Sequence, residues 1–198
     1  MRVEVRNEKV VIDGYVNAVG RDSRPMVDRR SGEKFVEQMV PGVFKNSLKK
    51  NSDIPILLNH DEKRNLGDTK TNLKLFEDSI GLRAIAEITD QEVIEKAKKK
   101  KLRGWSFGFV EKKASEEDTS SGMKRRFVEE LELKEVSLID DRKNPCYCGT
   151  SVYVRADEEE VIEERESEAE MVYEEVAEER AEDLSEYKNA IKELGGTI

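Results

Sequence analysis

The chain is 198 residues long, 40% of them Asp, Glu, Lys or Arg, with a formal net charge of −9, enough for one domain with its own core plus an extension. Residues 156–198 carry 17 acidic and 4 basic side chains, which leaves the first 155 at +4, and that mildly basic body lacks the basic, aromatic-interleaved patch of a nucleic-acid binder. No stretch is apolar enough for a signal peptide or a membrane span, so a cytosolic protein is expected, with neither membrane nor nucleic acid among its partners.

Two extended runs open the chain, RVEVR and VVIDGYVNA within residues 2–18, with a polar turn between them. Arg21 to Gln38 is polar, poor in apolar residues and broken by Pro25 and Gly32, which predicts a long loop. In VPGVFKNSLKK the Pro41-Gly42 pair punctuates the chain, and Phe44 with Leu48 at i, i+4 predicts a short helix. Asp53 to His60 reads as a strand with Ile54, Ile56, Leu58 and His60 on one face, followed by a charged loop, DEKRN. Asn72–Phe76 and Gly81–Ile88 predict two more strands, joined by a turn at Glu77–Ser79. Thr89 with Glu92 three residues on matches a capping box and starts a helix to about Lys101, whose Lys98–Lys101 run is a solvated end.

Leu102 to Val110, LRGWSFGFV, alternates strictly: Trp105, Phe107 and Phe109 share one face, and Gly104, Ser106 and Gly108 the other. ASEEDTSSG (114–122) reads as a flexible loop, Phe127 to Asp140 as mostly extended, and Ser151 to Arg155 as a last short strand. Val161 to Leu194 is rich in Glu and Ala and lacks Pro and Gly, which predicts a long helix with a heptad-like end at Leu184, Tyr187, Ile191 and Leu194. A partly disordered acidic extension is the alternative. The expected fold is mainly β with flanking α-helices, a barrel or sandwich rather than a doubly wound sheet, with a domain over 1–155 and a tail over 156–198.

Chemistry is concentrated in few residues. His60 is the sole histidine, so any mechanism that needs an imidazole uses it, and the edge of an apolar strand suits a general base. The alternative is a structural histidine. Ser106, between glycines, either relieves crowding beneath another backbone or leaves room for an extended peptide beside its hydroxyl. Leu131, Leu133, Glu135, Ser137 and Ile139 fall on one predicted face, where Glu135 interrupts an apolar row. A buried carboxylate needs a partner, either an Arg or Lys, or His60 as in a hydrolase triad. Cys146 and Cys148 are expected to be reduced thiols. With His60 they are too few for a closed zinc site without a carboxylate, so no metal and no cofactor is expected.

Taken in order, these segments resemble the prohead (capsid maturation) proteases of tailed bacteriophages, related in fold to the herpesvirus assemblins. IDGYVNAVG is similar to that family's G-Y-x-x-x-x-G opening, MVPGVFKNSL to its V-x-P-G-A-F-x-x-S-L, and IPILLNHD to its strand ending in N-H-D. LRGWSFGF resembles its L-x-G-x-S-x-G-F, and LKEVSLID…NP its E-V-S-L-V-T-x-P-A-N-P. The five lie in order over about 130 residues. The resemblance implies a serine endopeptidase on a small assemblin-like β-barrel, with Ser106 as nucleophile, His60 as base and Glu135 as third member. Assemblins use a second histidine in that third place, which this chain lacks, so a carboxylate or water serves instead. By the same resemblance, Arg142-Lys143 would supply the oxyanion-binding N–H groups. The usual T-x-P-A-N-P region is here IDDRKNPCYC, one proline fewer and two cysteines more.

The implied setting is the immature capsid, or prohead, in the bacterial host cytoplasm. There the enzyme would cleave itself and trim scaffold or the major capsid protein, with a coat-binding tail and a possible homo-oligomeric state. Two rivals stand beside it: a catalytically inactive capsid-assembly scaffold with a protease-like body, and a cysteine hydrolase using Cys146 or Cys148 with His60.

Overall fold

Strand alternation sorts the side chains of this chain into one shared core, and two sheets form around it. The computed structural model describes residues 1–6, 8–28, 31–120, 122–142, 151–154, 161–168 and 170–175, and of 151–154, 161 and 166–168 the backbone alone. In the first sheet, β1 (Arg2–Val5) and β2 (Val10–Ala18) pair antiparallel, and β2 continues to β8 (Gly81–Ile88) and then β7 (Leu73–Glu77). Val3, Val10, Ile12, Val16, Leu82, Ala84 and Ile88 all turn inward, as a period of two requires.

The second sheet is built on two long strands, β9 (Leu102–Asp118) and β10 (Lys124–Asp140), with the Thr119 N–H donating to the Met123 carbonyl where one leads to the other. The expected loop at 114–122 is therefore mostly strand; its charged residues form cross-strand pairs, Glu116 with Lys124 and Glu117 with Arg125. Along its other side β10 pairs in parallel with β4 (Lys34–Met39) in its first part and with β5 (Pro55–Leu58) in its second. β4, with its short partner β3 (Met26–Val27), lies where a long loop was expected. Its partner strand begins about 85 residues later, and its inward Glu37 hides the apolar alternation. The DEKRN segment is likewise a strand, β6 (Asp61–Asp68), antiparallel to β5.

The aromatic face of β9 fills the space between the sheets. Trp105, Phe107 and Phe109 have no exposed surface, Phe107 meets Phe44 edge-on at 5.3 Å, and Gly14 of β2 lets that strand close on Trp105. Phe44 comes from α1 (Val43–Lys50), the short helix expected from Phe44 and Leu48. Its first turn has no side-chain cap of its own; the Glu77 carboxylate accepts from the N–H groups of Gly42 and Lys45 instead. The second helix, α2 (Gln91–Lys98), is capped by Asp90, one residue after the expected Thr89, and buries Val93, Ile94 and Ala97.

Two further expectations change. The sheets do not close into a barrel. Part of the acidic segment expected as helix is strand: β12 (Val161–Glu168) pairs antiparallel with β9 on one side and β11 (Ser151–Val154) on the other, and β13 (Val172–Glu175) runs parallel to β1. The open edges of β9 and β1 supply ladder partners, which outweigh the helix propensity of glutamate. The heptad-like stretch at 184–194 and the two cysteines lie outside the described residues. No described helix is long and apolar enough to cross a membrane.

Candidate active site

The register between β9 and β10 makes the site. Phe109 stands opposite Leu133, Phe107 opposite Val136 and Trp105 opposite Leu138, all on the core side. Between Leu133 and Glu135 the register slips, leaving Lys134 as the extra residue of a β-bulge. Glu135 thereby moves off the apolar face that uninterrupted alternation predicted and onto the bare face of β9, opposite Gly108, while Ser137 falls opposite Ser106. The Ser47 hydroxyl, from α1, accepts the Leu133 N–H at 2.8 Å and holds the bulge from below. A Cβ at Gly108 would lie 2.7 Å from Glu135 Oε1, so glycine is the residue that leaves room for this carboxylate.

His60 does not continue its strand. β5 ends at Leu58, and Asn59 and His60 both take left-handed backbone, φ 57° and 61°. Three bonds to β10 hold that turn: Asn59 N–H donates to the Leu138 carbonyl at 2.9 Å, His60 N–H to Ser137 Oγ at 3.1 Å, and Asp140 N–H to Asn59 Oδ1 at 3.0 Å. The turn sends the imidazole across the bare face of β9 and β10.

All three residues expected to do chemistry meet there. His60 Nε2 lies 2.7 Å from Ser106 Oγ, and His60 Nδ1 lies 2.6 Å from Glu135 Oε1. The other carboxylate oxygen, Glu135 Oε2, accepts from Ser137 Oγ at 2.6 Å. The His60 side chain is 5% exposed and that of Glu135 11%, so the contacts are shielded from water and from salt. With its proton on Nδ1 and given to Glu135, the imidazole presents Nε2 as an acceptor for the Ser106 hydroxyl.

Three participants lay beyond the sequence reading. Ser137 ties the acid to the His60 backbone, yet nothing in its type or spacing separates it from a core serine. Glu164 of β12 places Oε1 3.5 Å from His60 Nδ1, a second carboxylate beside the imidazole. Arg165, also of β12, has its carbonyl oxygen 2.9 Å from Ser106 Oγ, which has no exposed surface. That hydroxyl thus faces two acceptors with one proton to give. The expected basic pair fares differently. Arg142 N–H already donates to Asp140 Oδ1 at 2.8 Å, its guanidinium pairs with Asp140 and Glu92, and Lys143 lies outside the described residues. The Arg142 half of the oxyanion expectation is therefore withdrawn. Among the described residues no group of three or more His, Cys, Asp and Glu is arranged to hold a metal ion.

Buried charges nearby are balanced by named partners. Burial by itself would raise the Asp140 pKa, but Lys96 and Arg142 outweigh it and hold the carboxyl far below the usual range. Burial would lower that of the Arg165 guanidinium, but Glu37 and Glu163 outweigh it and hold it up.

No curated protein and no solved structure matches the chain. The model of one family does, over residues 1–165, a span that includes β9, β10, the His60 turn and the start of β12. That family is described as the caudovirus prohead serine protease, and the chain belongs to it.

Proposed function

We propose that the chain is an active serine endopeptidase of phage prohead maturation, with Ser106 as nucleophile, His60 as base and Glu135 as the group that orients the imidazole. The observation that carries this reading is the single imidazole bridging Ser106 Oγ and Glu135 Oε1 at 2.7 and 2.6 Å. Ser106 Oγ attacks the scissile carbonyl as its proton passes to His60 Nε2. The imidazolium that forms is faced by the Glu135 carboxylate and then protonates the leaving amine. Water releases the acyl group by the same route in reverse. A carboxylate as third member fits a chain with one histidine. The substrates we assign are the major capsid protein, the scaffold, or both, processed within the prohead, and the enzyme itself.

Co-expression with the coat protein tests this, with fragments read by mass spectrometry. Ser106→Ala is expected to abolish processing of coat and of self while leaving the circular-dichroism spectrum unchanged. Processing that persists in that variant refutes the nucleophile. The inactive-scaffold reading has the covered Ser106 in its favour. Labelling by a serine-directed phosphonate separates the two, since a scaffold has no reason to activate that hydroxyl.

A further inference from the structure

A strand laid along a free sheet edge is how many proteins hold an extended peptide: the ladder supplies binding, and pockets for side chains supply selectivity. The edge of β9 that carries Ser106 is filled here by the chain's own β12, antiparallel, with Glu164 opposite Gly108 and Arg165 opposite Phe107. The Arg165 carbonyl is the one that reaches Ser106 Oγ. Its side chain is 7% exposed and ends on Glu37, itself 3% exposed. Arg165 Nε donates to Glu37 Oε1 at 2.7 Å and a terminal nitrogen donates to Oε2 at 2.8 Å, a fork-to-fork pair. The guanidinium also lies 5.1 Å over the Phe109 ring. Two residues upstream of Arg165, Glu163 meets Arg126 at 2.8 Å.

Such a pairing is selective by construction. Glu37 is a carboxylate buried on β4, and any uncharged occupant of the Arg165 place would leave it short of two hydrogen bonds and most of its neutralising charge. Arg126 offers part of the compensation, 3.3 Å away.

We propose that β12 stands in the place of the substrate: a peptide binds as an antiparallel strand along β9, and Glu37 selects a basic residue, arginine above all, immediately before the scissile bond. This rests on the reading of Ser106 as nucleophile. The bond so defined in the chain itself is Arg165–Glu166. Ser106 Oγ would bond to the Arg165 carbonyl carbon as its proton moves to His60. The C–N bond to Glu166 then breaks, and the new amine takes the proton. Water cleaves the ester, leaving a chain that ends in the Arg165 carboxylate. In the pose observed, the hydroxyl faces the carbonyl oxygen and not its carbon. The peptide plane must turn before attack, and until it does the strand closes the site.

The test uses the full-length protein and its Ser106→Ala form, mass spectrometry of each, and a library of extended peptides varied at one position. The wild type is expected to yield a fragment ending at Arg165, absent from Ser106→Ala, and to cut arginine peptides with kcat/KM about 100-fold above leucine peptides. Glu37→Gln should shrink that ratio by about tenfold or more. Cleavage with no basic preference, or an unchanged ratio in a folded Glu37→Gln, overturns this inference and leaves the protease reading intact. Should Glu37→Gln fail to fold, the wild-type library decides. Processing by Ser106→Ala, or a wild type that cuts nothing and resists the phosphonate, overturns the protease reading instead. A phosphonate-reactive wild type that cuts no basic-site peptide overturns the inference alone.

Discussion

Alanine at residue 108 would bring a methyl group to 2.7 Å from Glu135 Oε1, with the Cγ and Cδ of that side chain next in line at 3.3 and 3.4 Å. The carboxylate must move, and with it the orientation of His60. Gly108→Ala is expected to lower peptidase activity by about 10- to 100-fold while costing about 1–3 kcal/mol of stability, measured by peptide turnover beside a urea melt. Unchanged turnover would show that the Glu135 contact is dispensable. Ser137→Ala removes the hydroxyl that donates to Glu135 and accepts from the His60 N–H. A fall in kcat at unchanged KM is expected, since Ser137 is placed to position the acid and not to touch the peptide. His60, Ser106 and Glu135 were legible as separate candidates by residue type. Their meeting was implied by the family resemblance and not by local pattern, because His60 leaves its strand by a left-handed turn and Glu135 changes face at a bulge.

That bulge is the decisive element. Deleting Lys134 would remove the extra residue and leave Leu133 opposite Phe109 and Glu135 opposite Gly108, so Glu135 would keep its face and lose only the local bend and twist that the bulge imposes on it. Lowered peptide turnover in a protein that still folds is the expected result, because the Glu135 carboxylate is re-aimed relative to His60, and a fully active deletion would show that the bulge geometry is incidental. Asp90 offers a milder case. Its side chain accepts from Val93 N–H at the start of α2 and also meets Arg64, so Asp90→Ala should cost about 0.5–2 kcal/mol in denaturant melts. Two of the strands that escaped sequence reading, β4 and β12, share a cause. Each carries buried charge, Glu37 in one and Glu164 with Arg165 in the other, whose compensating partners lie far along the chain. Local pattern then reads as loop or as acidic helix.

At the scale of the whole molecule, one buried ion pair ties α2 to the end of β10. Asp140 has no exposed surface and meets Lys96 at 2.8 Å and Arg142 at 2.9 Å. Its folded pKa lies below the ordinary 3.8, so its contribution is complete above about pH 4 and is lost as pH falls further. Asp140→Asn should cost about 3 kcal/mol at pH 7, and the gap from wild type should narrow between pH 4 and pH 2 in thermal melts. A gap that stays constant with pH would refute the assignment. The aromatic row, by contrast, is plain hydrophobic burial: Phe107→Ala should cost about 3–5 kcal/mol, independent of pH over the same range.

The sequence by itself determined what local periodicity can encode. It specified the two-faced strand at 102–110, the short helix carrying Phe44, the paired strands around residue 80, the charge of the tail, and the imidazole, hydroxyl and carboxylate available for chemistry. Only the tertiary structure decided which of these face one another. A one-residue slip in β10 reverses a face, a two-residue turn aims His60, and β12 finds the edge of β9 from more than fifty residues away. Such choices depend on partners distant in the chain, because a strand's hydrogen bonds and a buried charge's neutralisation are satisfied between elements and not within them.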